Sequence, residues 1–126
     1  MITFEPKVFN AMQKFARAKH PNEIILLLRG EKKGENIYIT DFLHPPFGSG
    51  GKGYASFPSH MLPIDFSIIG TAHSHPSGNL RPSTGDLHNF YGRIMIIIGP
   101  PYDKTKAAAY TKRGEKVTLK ITSHQR

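Results

Sequence analysis

The sequence predicts an α/β or α+β layered fold, and three observations carry that expectation. One early segment, "PKVFNAMQKFARAK", repeats its apolar residues at helical spacing. Three short apolar runs rich in branched residues, "NEIILLLRG", "FSIIGTAHSH" and "RIMIIIG", are too short for ordinary helices and read as buried strands. Turn-forming residues separate such runs at spacings that suit hairpins, and helices mixed with a largely hairpin-built sheet indicate a layered structure.

Taken in order, Pro6 to Lys19 sets Val8, Met12, Phe15 and Ala16 along one helical face. Proline suits the first turn of that helix, and His20-Pro21 ends it. "NEIILLLRG" follows as a strand closed by Gly30, "EKKGEN" as a polar turn, and "IYITDFL" as the returning strand of a hairpin. Residues 45–60, "PPFGSGGKGYASFPSH", have no usable period; a loop of this length is either a surface excursion or part of a site. "FSIIGTAHSH" is a third strand that runs into a pair of histidines, and "DLHNFYG" makes a short helix. "RIMIIIG" is the most apolar strand and is expected at the centre. "KAAAYT", "KRGEK" and "VTLKIT" make a closing hairpin with a glycine in its turn. Neither a repeat nor a linker breaks the chain, so residues 1–126 read as a single domain with one core.

Composition removes several classes of function. There is no cysteine, which excludes disulfides, thiolate metal sites and a cysteine nucleophile, so any metal must be held by nitrogen and oxygen. No stretch approaches the ~20 apolar residues of a membrane span. "MITFEPKVFN" carries acid and proline where a signal peptide is apolar, and the expected location is the cytoplasm. The net charge of +8 favours an acidic partner, yet the basic residues are scattered and lack interleaved aromatics. Nucleic acid is therefore a secondary expectation beside an acidic protein partner or plain solubility.

The densest chemistry lies in "GTAHSHPSGNLRPSTGDLHNF". On a strand, residues i and i+2 share a face, so His73 and His75 aim both imidazoles at one point if the strand continues through them. Pro76 ends the strand there, at a place where α/β sheets present ligands. Two imidazoles and the carboxylate of Asp86 suit zinc with a fourth position left for water. Zinc lowers the pKa of such a water to about 7. The bland alternatives are a chance His-x-His pair and a helix-capping box, because "STGD" places Ser83 at a cap with Asp86 three residues later. The two roles of Asp86 are compatible, since a helix start fixes where its carboxylate points. His88 diverges from Asp86 on a helix and is set aside as a ligand, while His20, His44, His60 and His124 read as loop or surface residues. HExxH, H-x-E with Cys-x-x-Cys, G-x-S-x-G and GxxxxGK[ST] are all missing.

"HSHPSGNLRPSTGD" fits H-x-H-P-x6-S-x-x-D, with ten residues between His75 and Asp86, and so resembles the signature of the JAMM (MPN+) metalloprotease family. That family also carries a glutamate opening an apolar strand after a proline, and "HPNEIILLLRG" supplies Glu23 in that setting. The resemblance covers roughly residues 6–100 and includes "IMIIIGPP" after the aspartate. It implies a cytidine-deaminase-like α/β/α layered fold, with a mixed sheet and one zinc held by His73, His75 and Asp86. Glu23 would serve as general base toward the catalytic water and then as acid toward the leaving amine. Ser83 would donate a hydrogen bond to the oxyanion. One departure is Leu26, which stands where the family usually has the first glycine of E-x-x-G-x-L-x-G; Leu28 and Gly30 keep the rest. Read without the family, Glu23 is only an acid at the mouth of a buried strand.

Active relatives of that kind hydrolyse the isopeptide bond after the Gly-Gly tail of a ubiquitin-like protein. The resemblance therefore implies a compact, prokaryotic-type isopeptidase whose partner is a ubiquitin-like modifier and its conjugates. The Gly-rich loop is expected to form one wall of a channel for the extended tail. Other readings are trimming of C-terminal peptides or amino-acid adducts from sulfur-carrier proteins, a nucleic-acid-associated JAMM domain resembling the RadC group, and a scaffold without catalysis. A scaffold typically loses ligands, and this chain keeps the full set.

Overall fold

A computed structural model describes residues 1–45, 49–51, 54–56 and 67–123. Most of the 45–60 loop, with His60, and also His124 lie outside the described residues. The elements are β1 (Ile2–Phe4), α1 (Pro6–Lys19), β2 (Ile25–Lys33), β3 (Asn36–Leu43), β4 (Ser49–Gly51), β5 (Tyr54–Ser56), β6 (Ile68–Ser74), α2 (Thr84–His88), β7 (Ile94–Ile98), β8 (Ala107–Tyr110), β9 (Lys116–Val117) and β10 (Leu119–Ile121). One eight-stranded sheet has the order β10-β1-β3-β2-β6-β7-β8-β9, and β4 pairs with β5 in a separate ladder. Among the described residues no helix is long and apolar enough to cross a membrane.

The α/β class holds, with several corrections to the elements. The helix spans the expected residues, with Pro6 in its first turn and the N–H of His20 donating to the Ala16 carbonyl at its end. Its buried face is Phe9, Met12, Gln13 and Ala16, while Val8 and Phe15 are only partly covered. The residue that shifts the stripe is Phe9, which meets Phe4 of β1 edge to face at 5.3 Å. β2 runs on to Lys33, so the polar turn shrinks to Gly34 and Glu35, with Gly34 at φ 59°. The short helix starts at Thr84, two residues before "DLHNFYG", because Ser83 caps it.

The closing hairpin is the larger correction. β8 and β9 do form one, but β10 leaves it and pairs in parallel with β1 at the far edge. Only Thr118 separates β9 from β10, so the two ends of the sheet meet and it curls on itself. The sheet is mixed, as the resemblance implies, and less hairpin-built than the turn signals suggest, with parallel pairs β1/β3, β1/β10 and β6/β7.

Two apolar clusters use the two faces. Residues of β1, β2, β3, β6, β7 and β8 share one cluster with the buried face of α1. The second holds Met95, Ile97, Ala108 and Tyr110, with Leu80 and Phe90 packed against it. β7 is buried along its whole length, as its "IMIII" run predicts. Gly70 lets it approach β6, since a Cβ there would lie 2.1 Å from the Ile94 carbonyl oxygen. Leu26 pairs with Ala72 and is fully buried in the α1 cluster. It therefore faces away from His73, which is paired with Ile25, and the departure from the family's glycine is met by a small partner.

Candidate metal centre

β6 lies between β2 and β7 and carries His73 opposite Ile25 on one side and Ile97 on the other. Alternation turns His73 to the face away from α1. His75 follows the end of the strand, where its N–H donates to the Ile98 carbonyl at 2.8 Å. Glu23 sits just ahead of β2, on the neighbouring strand end. Asp86 comes from α2, whose start is a complete capping box: the Asp86 N–H donates to Ser83 Oγ at 3.0 Å and the Ser83 N–H to Asp86 Oδ2 at 2.8 Å. The cap and the cluster are thus served by one carboxylate, because Asp86 Oδ1 faces His73 Nδ1 at 3.6 Å.

The four side chains meet. His75 Nε2 lies 3.1 Å from Asp86 Oδ2 and 3.6 Å from Glu23 Oε1. Ligand atoms of Glu23, His73 and Asp86 all fall within 4.8 Å of one another. His73, His75 and Asp86, the expected ligands, are brought to one place with Glu23 beside them, and His75 is joined to Asp86 by a hydrogen bond. Ser83 stands at the helix cap and is exposed; its hydroxyl accepts from Asp86 and keeps its own proton to give. His88 is exposed at the end of α2 and His44 is exposed between the rings of Phe15 and Phe42, while His20 Nδ1 bonds the Tyr102 hydroxyl at 2.6 Å.

The protonation states follow from these surroundings. Burial pulls the His73 imidazole down to about 4, with Asp86 opposing and His75 reinforcing, so the ring is neutral at pH 7. Burial also acts downward on His75, but the hydrogen bonds to Asp86 and Asn79 and the charges of Asp86 and Glu23 outweigh it and raise its pKa. Burial acts upward on Asp86, yet the His75 hydrogen bond, the Ser83 N–H and both imidazoles hold it at about 2. Glu23 is raised, first by burial, with His75 opposing and Asp86 adding.

One feature tests whether this cluster suits a cation. His73 is 4% exposed, and neither of its ring nitrogens has a hydrogen-bond partner among the described residues. A buried, neutral, unpartnered imidazole turned toward two carboxylates is the donor set that zinc takes, and burial without such a ligand is costly. His75 is oriented for the same end: its Nδ1–H donates to the Asn79 carbonyl at 2.8 Å, which leaves Nε2 turned to the carboxylates. The sequence gives no sign of this Asn79 contact, because a backbone carbonyl has no side-chain signature. Ser74 is also unforeseen; its small polar side chain between two histidines was the available signal.

The model of prokaryotic homologs of the JAB domain matches residues 5–112. A probable metalloprotease of Haloferax volcanii is 40% identical over 103 residues, covering 76% of this chain and 64% of that protein, so the chain spans less than two thirds of this relative. A JAB1/MPN domain protein from Archaeoglobus fulgidus superposes with TM-score 0.69 and 29% identity over 98% of this chain and 100% of its own. A structure described as JAMM, a metalloprotease-like zinc site in the proteasome and signalosome, gives TM-score 0.71 and 28% identity over 98% of each chain. A protein of Desulfitobacterium hafniense, at 20% identity and TM-score 0.71 over 98% of this chain and 94% of its own, shares the fold. The chain belongs to the prokaryotic JAB-domain homologs of the JAMM/MPN family.

Proposed function

We propose that this chain is a zinc-dependent metallo-isopeptidase that hydrolyses the bond after the C-terminal Gly-Gly of a ubiquitin-like modifier. It would act in the cytoplasm as one domain over residues 1–126, on a cytidine-deaminase-like layered scaffold. The observation that carries the reading is the buried His73 ring with two unpartnered nitrogens beside Asp86 and Glu23. His73, His75 and Asp86 would hold zinc, His75 exchanging its hydrogen bond to Asp86 for the ion. When bound, zinc supplies Lewis acidity and acidifies water at its open position.

The remaining work falls to this chain's own groups. Glu23 stands 3.6 Å from His75 with its carboxyl raised by burial. It can therefore take a proton from water and keep it long enough to hand it to the departing lysine amine. Ser83, with its hydroxyl proton free, donates toward the carbonyl oxygen of the scissile bond. The charge of +8 draws in an acidic modifier, an attraction that weakens with salt.

The test measures zinc per chain and cleavage of a Gly-Gly-Lys isopeptide conjugate, with a DNA oligomer binding series as the competing outcome. The expected result is about one zinc per chain, cleavage by the wild type, and a Glu23→Gln variant that keeps zinc while kcat falls roughly 10²–10⁴-fold. A zinc-loaded chain that leaves the conjugate intact overturns the substrate, and an active Glu23→Gln overturns the base.

A further inference from the structure

Resting on that hydrolase reading, we propose that Ser74 is the positioning residue for Glu23, fixing the backbone beside this carboxylate to the two histidines that flank it. Ser74 is the last residue of β6 and is fully buried. Its N–H donates to the Ile24 carbonyl at 3.1 Å, and the Ile24 N–H donates to Ser74 Oγ at 2.8 Å. Both backbone groups of Ile24 thus rest on one residue, beyond the point where the regular register of β2 and β6 ends at Ile25 opposite His73.

The consequence for Glu23 follows from peptide planarity. The Glu23 Cα and the Ile24 N–H belong to one planar unit, so anchoring that N–H fixes the point from which the Glu23 side chain departs. Ser74 does not touch the reacting atoms. Alternation puts its side chain on the α1 face while His73 points to the other, so it acts only through the backbone. The same residue also separates His73 from His75, so one short segment sets the carboxylate and both imidazoles in register. Alanine would leave the Ile24 N–H, on a residue only 8% exposed, without its acceptor. Glu23 Oε1 is 3.6 Å from His75 Nε2, a separation at which a displacement near 1 Å costs on the order of 10²-fold in rate.

Two measurements on the zinc-loaded full chain test this: amide hydrogen exchange at Ile24, and kcat and KM on the Gly-Gly-Lys conjugate. In Ser74→Ala the Ile24 amide should exchange at least about tenfold faster, because its closed-state bond is gone. Zinc per chain and KM should stay at wild-type values while kcat falls roughly 10- to 100-fold. Ser74→Thr, which keeps a hydroxyl acceptor, should restore both slow exchange and kcat. In a Glu23→Gln background Ser74→Ala should cost nothing further, the signature of a residue that works through another. Unchanged exchange at Ile24, an equal kcat loss in the Glu23→Gln background, or loss of zinc in step with activity overturns the proposal. Should the wild type fail to cleave the conjugate, the isopeptidase substrate falls, and exchange at Ile24 alone then decides whether Ser74 holds the Glu23 backbone.

Discussion

The two faces of the sheet treat burial in opposite ways. Toward α1, Phe4, Phe9, Met12, Leu26, Leu28, Ile96 and Ile98 close an almost wholly apolar cluster. Among the described residues the polar groups buried there have partners: Ser74 holds Ile24, and Gln13 Nε2 donates to the Asp103 carbonyl, with Gln13 Oε1 left over. On the other face, Thr71 Oγ1 and both nitrogens of His73 are buried with no hydrogen-bond partner among the described residues. Packing explains the first face. The second keeps an imidazole where an aliphatic side chain would be cheaper, and that is the mark of chemistry rather than of stability.

This contrast can be broken or sharpened by experiment. The largest effect is expected from Leu26→Ala, which opens a cavity in the α1 cluster and should cost about 2–5 kcal/mol of unfolding free energy while leaving zinc per chain unchanged. Loss of zinc in that variant would mean that the two faces are not separable. Next comes the pH dependence of the chelated protein. His73 has a folded pKa of about 4 against an ordinary value of 6.5, so the unfolded chain takes up the proton first. Stability from this group is complete above pH 6.5 and is lost on acidification between 6.5 and 4, to the extent of roughly 3 kcal/mol. His75, with its raised pKa, opposes part of this loss, because its contribution is present below its unfolded value and fades as pH rises. Asp86 adds a second loss between pH 3.8 and about 2. Urea midpoints across pH 7 to 4 read the effect, and a flat profile would contradict the buried neutral ring.

A smaller effect of opposite sign should come from His73→Leu. With the unpartnered ring removed, the chelated protein is expected to gain about 1–3 kcal/mol, to lose its zinc, and to lose most of the slope between pH 6.5 and 4. A destabilised variant would show that the ring is held by something other than a cation. The smallest effect is that of Ser83→Ala, where loss of the cap on α2 costs about 1 kcal/mol by thermal unfolding.

How much of this was legible in the sequence depended on whether the signal was local. The helix over 6–19 announced itself through Pro6 and its period, and the hairpin of β2 and β3 through its glycine turn. β1 and β10 did not, since strands of three residues are too short for any periodicity and their pairing joins distant parts of the chain. Within the site, the His73-Ser74-His75 spacing and the capping box of Ser83 and Asp86 were visible as patterns. Glu23 was visible only through resemblance, because nothing local distinguishes it from a surface acid. How closely Glu23 approaches His75, at 3.6 Å, depends on the pairing of β2 with β6, which no spacing along the chain reveals.

The curled sheet carries a consequence for how the protein is made. Ile2 pairs with Leu119, so β1 keeps one edge bare until residues 119–121 have been made. Glu23, His73, His75 and Asp86 are all synthesised well before that seam closes. The reactive corner is therefore assembled from early residues, whereas the seal that completes the sheet comes late, and a chain stopped short of residue 119 would expose an open β1 to other strands.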